Sequence, residues 1–311
     1  MSEFLDKIIA QAKKDKKRIV LPEIWDERIV KAAAQAQQLG FADPILLTDN
    51  MMTKKDEYAQ ILYELRKHKG MTPEEAKSLL NDPIYYGTMM VKCDDADGMV
   101  AGAATPTADI LSPALKIIGA SPNTKLVSTV FFMVSPDKNI GNGGITAFSD
   151  CAMVPNPTAE ELAYIAIDTA KSYEQYTGSP AKVAMLSYST MGSGKGETVE
   201  KMKEATKIAK TLAPKLLIDG EMQADAAIIP QIGKSKAPNS NVAGEANVLI
   251  FPNLDAGNIG CKLAQRYGKC EAIGPIMQGL DKPINDLSRG ASVDDIIGVI
   301  ACVVIQAQQN K

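Results

Sequence analysis

The chain has 311 residues, of which 45% are apolar and 23% charged, and its formal net charge is −3. This composition is typical of a globular protein, and the absence of a basic surplus argues against nucleic-acid binding and against attachment to an anionic membrane. The longest apolar run, at 296–305, is too short to cross a bilayer, and the amino-terminal stretch lacks a signal-peptide core. Five cysteines without a C-x-x-C pair predict a cytoplasmic protein. A single histidine, His68, excludes sites that need two.

Short apolar strands alternate with amphipathic helices along the chain. Strands are predicted at 18–23, 43–49, 97–103, 125–134, 144–150, 182–189 and 246–253. Helices are predicted at 27–40, 55–68, 73–80, 83–92, 109–118, 157–176, 197–211, 256–268 and 291–309. Thr158 and Glu161 have capping-box spacing at one helix start. This alternation indicates an α/β fold with a largely parallel sheet.

Ligands of open α/β sheets bind at the carboxyl ends of strands and at helix starts, and three loops fit that position. The first, at 187–198, resembles a phosphate loop superficially. Lys195 is followed by Gly196 rather than Ser or Thr, and Ser189 replaces the first glycine, so the Walker A pattern fails. This loop is either a plain strand-to-helix turn or a wall of a phosphate or acyl site. In the second loop, Asn258 either donates its amide to a substrate oxygen or caps its own helix.

The third loop, at 285–296, is the most informative. Ser288 and Arg289 lie just before the last predicted helix, and an arginine fork at a helix start suits a dianionic phosphate. Ser292 and Asp295 have S-x-x-D spacing, a variant of the capping box. Asp295 is therefore a helix cap or a general base. The two roles are compatible, because a carboxylate held at a helix start near an arginine is well placed to accept a proton.

Four segments carry a resemblance to a known family. They are YELRKHKG at 63–70, IDGEMQADAAIIP at 218–230, KAPNSNVAGEANVLIFPNLDAGNIG at 236–260 and EAIGPIMQGLDKPINDLSRG at 271–290. Through them the chain resembles the phosphate acetyltransferases (phosphotransacetylases) of the phosphate acetyl/butyryltransferase family. The resemblance covers nearly the whole chain and is looser at 40–60, where this sequence looks shortened.

The resemblance implies two three-layer α/β/α domains with largely parallel sheets and an interdomain cleft. By analogy only, such a fold is similar to that of isocitrate and isopropylmalate dehydrogenases. Residues 1–124 plus 277–311 are expected to form a discontinuous domain with the catalytic stretch, and residues 125–276 the second domain. The resemblance also implies a cytoplasmic homodimer acting on coenzyme A or acetyl-CoA and on phosphate or acetyl phosphate. It implies no permanently bound cofactor, no metal, and no nucleic-acid or membrane partner.

Residue roles are implied in the same way. Ser288, Arg289 and Asp295 fall on the catalytic positions of the family. Asp295 is expected to deprotonate the CoA thiol, Arg289 to hold the phosphate of acetyl phosphate, and Ser288 to stabilise the transition state. Arg66 falls on a CoA-binding position. Ser112, also a candidate CoA contact, departs from the family, which commonly has a CoA-binding arginine there.

Other functions remain open from the sequence. A phosphate butyryltransferase would use the same chemistry with a deeper acyl pocket. A dehydrogenase of the analogous fold would need a carboxylate-bound metal and a nicotinamide site, but no G-x-G-x-x-G follows a predicted strand. A non-catalytic acyl-phosphate sensor is a third alternative, and the presence of all three catalytic residues argues against it. An acetyl-cysteine intermediate lacks the histidine partner that would activate the thiol.

Overall fold

The computed structural model describes residues 2–309. The chain divides into two compact units, Met1–Pro122 with Leu280–Lys311, and Asn123–Gly279. The sequence-based domain prediction has its boundaries a few residues away from these limits, and it stays a prediction. No helix within residues 2–309 combines the length and the apolar content needed to cross a membrane.

The described residues form ten strands in two sheets. In chain order these are β1 (Lys17–Leu21), β2 (Ala42–Leu46), β3 (Gly98–Ala101), β4 (Ser128–Val134), β5 (Ile145–Ser149), β6 (Lys182–Leu186), β7 (Leu217–Met222), β8 (Val248–Ile250), β9 (Glu271–Gln278) and β10 (Ile284–Asp286). In the first unit the order is β10-β3-β1-β2, and all neighbours are parallel. In the second unit the order is β7-β6-β8-β5-β4-β9. β4 runs antiparallel to both of its neighbours, β5 and β9, and the other neighbouring pairs are parallel. The prediction of an α/β fold with largely parallel sheets is confirmed.

Twelve helices lie among the same residues. They are α1 (Glu3–Ala12), α2 (Glu27–Leu39), α3 (Lys55–Arg66), α4 (Pro73–Leu79), α5 (Pro83–Lys92), α6 (Thr107–Pro113), α7 (Ala159–Thr177), α8 (Glu197–Leu212), α9 (Ala224–Ile228), α10 (Pro230–Lys236), α11 (Leu254–Arg266) and α12 (Val293–Gln309). The nine helices predicted from periodicity are present, with ends shifted by a few residues. α2 ends at Leu39 and is capped by Gly40, whose φ of 76° lies in the left-handed region that glycine adopts without strain.

Helices cover both faces of the first sheet, because side chains alternate along each strand. On one face Val20 belongs to a buried cluster with residues of α3 and α5. On the other face α12 packs closely: a Cβ at Gly98 would lie 2.5 Å from Val303 Cγ1 and 3.4 Å from Ile19 Cδ1. The helix predicted at 291–309 is present as α12, and the apolar run at 296–305 is buried within it.

The second sheet is covered in the same way. Phe132 of β4 packs edge to face on Tyr176 of α7, with ring centroids 5.1 Å apart. Its neighbour Met133 points to the opposite face, where its Sδ lies 3.8 Å from Cys261 Sγ of α11. Each unit is therefore three layers deep, with the carboxyl ends of its parallel strands leading into loops and helix starts.

Candidate active site

The carboxyl ends of the four parallel strands in the first unit lie at one edge of its sheet. Ser288 and Arg289 follow β10 at this edge, and both are exposed. The guanidinium of Arg289 makes no hydrogen bond or ion pair with any other residue between 2 and 309. It is therefore available to an anion.

Arg28, on α2, donates hydrogen bonds to backbone carbonyl groups of the turn that contains Arg289 and of the loop after β3. Its Nη1 donates to the carbonyl oxygens of Arg289 at 2.9 Å and Ala291 at 2.8 Å. Its Nη2 donates to the carbonyl oxygen of Ala103 at 2.8 Å. The carboxylate of Asp26 accepts from the same guanidinium, which holds the pKa of Asp26 below its usual range. Arg28 thus fixes the turn through carbonyl groups and leaves the Arg289 side chain unengaged.

Asp295 lies in the first turn of α12 and forms a capping box with Ser292. The Asp295 N–H donates to Ser292 Oγ at 3.2 Å. Asp295 Oδ2 accepts from the Ser292 N–H and from Ser292 Oγ, each at 2.8 Å. The cap predicted from the spacing is therefore confirmed. Asp295 is nevertheless exposed, and no hydrogen bond to its Oδ1 is found within residues 2–309. Asp295 therefore caps α12 through Oδ2 while its side chain stays accessible to a proton donor.

Glu23 organises the loop that follows β3. It is fully buried. Its carboxylate accepts the backbone N–H groups of Ala103, Ala104 and Thr105 at 2.8 to 2.9 Å. This loop leads into α6, on which Ser112 is half-buried.

Sequence reasoning missed both Glu23 and Arg28. Glu23 ends the strand predicted at 18–23, and that pattern does not indicate that its carboxylate accepts backbone N–H groups of a distant loop. Nothing local marks Arg28, whose partners come from residues far along the chain and become neighbours only in the folded unit.

The two predicted CoA contacts lie in the first unit, as Ser288 does. Arg66 is the last residue of α3 and is half-buried. Among the described residues, neither Arg66 nor Ser112 is joined to the Ser288–Arg289 turn by a hydrogen bond or an ion pair. Their role in CoA binding stays a prediction.

Asn258 lies on α11 in the second unit. Its Nδ2 donates to the carbonyl oxygen of Cys151 at 3.0 Å. The idea that Asn258 caps its own helix is wrong, because the helix begins earlier, at Leu254, and Asn253 is the cap, accepting the Ala256 N–H at 2.9 Å. A contact between Asn258 and substrate stays a prediction.

The glycine-rich loop at 187–198 is held by hydrogen bonds to one buried carboxylate. The buried carboxylate of Glu221 accepts from Ser189 Oγ at 2.7 Å and from the Gly192 N–H at 2.8 Å. Gly192 and Gly196 have φ angles of 87° and 152°, which favour glycine. These contacts account for the loop as a strand-to-helix turn, and its role as a wall of a phosphate or acyl site stays a prediction.

No three His, Cys, Asp or Glu side chains among residues 2–309 come together in a way that could hold a metal ion. His68 is exposed in a single short turn, Lys67–Lys69, after α3.

Comparison with known proteins identifies the family. A family model described as phosphate acetyl/butaryl transferase matches residues 3–56 and 49–304. Proteins named phosphate acetyltransferase from Acetivibrio thermocellus and Clostridium acetobutylicum are 51% and 47% identical, with 99% of this chain and 99% of each relative covered. The crystal structure of a phosphotransacetylase from Streptococcus pyogenes is 42% identical, covers 99% of this chain and 100% of its own, and superposes with a TM-score of 0.92. The chain therefore belongs to the phosphate acetyl/butyryl transferase family.

Proposed function

We propose that this chain catalyses the reversible transfer of an acetyl group between coenzyme A and inorganic phosphate. The observation that carries the proposal is its 51% identity, over 99% of both chains, to a phosphate acetyltransferase. A longer acyl group is less well supported, since the branched-chain phosphotransacylase of Enterococcus faecalis is only 15% identical and shares the fold alone.

Asp295 is the proposed general base. A free thiol is only a few per cent ionised near neutral pH, and the exposed carboxylate of Asp295 accepts its proton. The thiolate sulfur then attacks the acyl carbon, so that a C–S bond forms and the carbonyl oxygen becomes an oxyanion. When this intermediate collapses, the C–O bond to phosphate breaks and phosphate leaves with the electron pair. The capping contacts with Ser292 support this role, because they fix the carboxylate through one oxygen.

Arg289 is the proposed phosphate ligand. Its unpaired guanidinium can bind two phosphate oxygens at once, and the contact strengthens as charge grows on the leaving phosphate. Ser288 is proposed to donate its hydroxyl to the developing oxyanion. Arg28 supports both by fixing the backbone between them and α12.

Arg66 and Ser112 are proposed as contacts for CoA, and Asn258 as a donor to a substrate oxygen. No cofactor is proposed beyond CoA itself, which is a substrate. A half-buried arginine at a helix end, such as Arg66, suits the phosphates of CoA. The Asn258 amide is held by the Cys151 carbonyl through one N–H, which leaves its second N–H for a ligand.

The experiment that tests the function is a thioester-formation assay with CoA and acetyl phosphate. We expect stoichiometric acetyl-CoA and phosphate, and faster turnover with acetyl-CoA than with butyryl-CoA in the reverse direction. Absence of thioester formation by folded protein would contradict the function, and a preference for butyryl-CoA would contradict the acyl group.

A homodimer is proposed from one exposed apolar stripe. Ile259, Leu263 and Tyr267 recur every fourth residue at α11 and are 58%, 50% and 85% exposed. Light scattering should give twice the 33.3 kDa chain mass, and Leu263→Glu should yield a monomer. Leu212→Glu, at an exposed leucine of α8, is the control that should remain dimeric. A monomeric wild type would contradict this proposal.

A cytoplasmic location is proposed from the thiols. No disulfide joins any two of the five cysteines within residues 2–309, which suits a reducing compartment. Cell fractionation with acetyl-CoA formation as the readout tests this location, and activity confined to a secreted fraction would contradict it.

A further inference from the structure

Asp286, the last residue of β10, is a buried carboxylate for which the proposed mechanism has no role. It is 6% exposed and lies two residues before Ser288. Its Oδ2 accepts a hydrogen bond from Thr107 Oγ1 at 2.7 Å. Its Oδ1 has no hydrogen-bond partner among residues 2–309. A buried carboxylate oxygen without a donor costs stability, so its presence beside the catalytic turn requires a reason.

The surroundings hold Asp286 against the loop that follows β3. A Cβ at Gly102 would lie 2.1 Å from Asp286 Oδ1, so this contact requires glycine, and the φ of 102° at Gly102 favours glycine as well. The Leu287 N–H donates to the Ala101 carbonyl at 2.7 Å. Asp286 therefore touches two segments at once: its own turn and the loop that leads into α6.

The charges around Asp286 are few. Burial is the main reason why the pKa of Asp286 is raised to about 6, and the nearby Glu23 carboxylate raises it further, while the Thr107 hydrogen bond lowers it. Glu23 and Asp286 both contact the loop after β3, and Arg28 binds the same loop through the Ala103 carbonyl. The neighbouring strand β3 has no charged side chain.

We propose that Asp286 is a positioning residue whose ionised carboxylate holds α6 and the preceding loop in the arrangement that binds CoA. The inference rests on the proposed acetyl transfer and on Ser112 of α6 as a CoA contact. Thr107, the partner of Asp286, is the first residue of α6. A hydrogen bond to an ionised carboxylate is about twice as strong as one to a neutral acceptor, so protonation of Asp286 loosens the start of α6.

The stability of the fold should show the cost of this arrangement. The pKa of Asp286 in the folded chain, about 6, lies above that of an unfolded aspartate, so the folded state binds this proton more tightly. Stability therefore falls as pH rises from about 4 to about 6, and the full penalty is present above that range. Asp286→Asn should raise the melting temperature at pH 7.5 by at least about 3 °C, with a gain that shrinks toward pH 4.

The kinetic test measures KM for CoA at pH 5, 6 and 7. If only the ionised form binds CoA, wild-type KM should rise about 10-fold from pH 7 to pH 5 relative to that of Asp286→Asn, with kcat changing equally in both. The phosphomonoester of CoA also titrates near pH 6, and the ratio of the two proteins removes that shared contribution.

Two variants complete the test. Thr107→Val removes the hydrogen bond through which Asp286 holds the start of α6, so KM at pH 7 should increase several-fold and its pH dependence should match that of Asp286→Asn. Asp43→Asn removes an exposed carboxylate of β2 in the same unit and should follow wild type.

The same pH dependence of KM in wild type and Asp286→Asn would overturn the inference, as would an unchanged pH dependence in Thr107→Val. CoA binding by calorimetry at the three pH values gives the same comparison without turnover. A wild type that binds CoA with this pH dependence but transfers no acetyl group would contradict the proposed function and leave the role of Asp286 supported.

Discussion

Three helices within residues 2–309 begin with a capping box, α4, α7 and α12, and the boxes of α7 and α12 make the same three contacts. At α7, Glu161 Oε2 accepts from the Thr158 N–H at 2.7 Å and from Thr158 Oγ1 at 2.9 Å, and the Glu161 N–H donates to Thr158 Oγ1 at 3.2 Å. At α12, the corresponding distances between Ser292 and Asp295 are 2.8, 2.8 and 3.2 Å. As caps the two carboxylates are equivalent.

The surroundings of the two boxes differ. The box of α12 follows a turn whose carbonyl groups are held by Arg28 and which presents the unpaired guanidinium of Arg289. At the start of α7 the neighbouring charge, Glu160, is already paired with Lys125. We therefore expect a capping carboxylate to act as a base only where the fold places an anion-binding group beside it.

The largest expected effect is a loss of kcat when the carboxylate of the α12 capping box is replaced. Asp295→Asn should lower kcat by ~10²–10⁴-fold, because the amide cannot accept the thiol proton. It should cost about 1 kcal/mol of stability or less, since an amide oxygen can still accept from the cap. Steady-state kinetics and urea unfolding measure the two quantities.

The matched control is Glu161→Gln at α7. It makes the same chemical change in an equivalent cap, and kcat should stay within about 2-fold of wild type. A stable Asp295→Asn enzyme with near-normal kcat would exclude Asp295 as the base. Both capping boxes would then serve only to stabilise their helices.

Arg289 is expected to have the next largest effect. Arg289→Ala removes a charge-assisted contact to phosphate, worth about 1.5–3 kcal/mol in binding, or roughly 10- to 150-fold in KM for acetyl phosphate. The value of kcat should fall as well, because the contact strengthens while phosphate leaves. Lysine should restore activity only in part, since it lacks the planar fork. Full activity in Arg289→Lys would show that a point charge suffices.

The alternating order of strands and helices was predictable from the sequence, because burial periodicity is a local property. The elements without a predicted range were β7, β9, β10, α1, α9 and α10. β7 contains Asp219, Gly220 and Glu221, which break the apolar run, and Glu221 is buried only because loop residues supply its donors. β10 has three residues and is defined by its pairing with β3. Such elements depend on partners that are distant in sequence.

The candidate site divides in the same way. The S-x-x-D spacing of Ser292 and Asp295 predicted the cap correctly, because both partners lie within one helical turn. Arg28 and Glu23 were missed, since each acts on a backbone segment roughly 80 or more residues away. The proposal of a chemical role for Asp295 depends on the family resemblance, because capping-box spacing also occurs at α7 and does not by itself indicate a base.

Ser112→Arg tests whether the departure from the family weakens CoA binding. An added guanidinium on α6 should lower KM for CoA by roughly 5- to 30-fold, equivalent to about 1–2 kcal/mol after screening by solvent. The value of kcat should change little, because a contact to the remote part of CoA is the same in the ground state and the transition state. The improvement should shrink at high salt. An unchanged or higher KM at both ionic strengths would place CoA elsewhere.

The smallest effects are expected from substitutions that remove the hydroxyl groups of the two capping boxes and leave their carboxylates in place. Thr158→Ala and Ser292→Ala should each destabilise the fold by about 1 kcal/mol, since each removes the acceptor for an N–H at a helix start. Their kinetics should differ. Thr158→Ala should leave kcat and both KM values unchanged. Ser292→Ala removes the hydroxyl that donates to Asp295 Oδ2 at 2.8 Å, so the base is less well fixed and kcat should fall by a few-fold, on the order of what one neutral hydrogen bond contributes.

Urea midpoints and paired kinetics of these two variants give the measurement. Equal kinetics in the two variants, with equal losses of stability, would mean that the cap of α12 stabilises its helix without orienting the base. Asp295 would then depend on its helix backbone alone for its position.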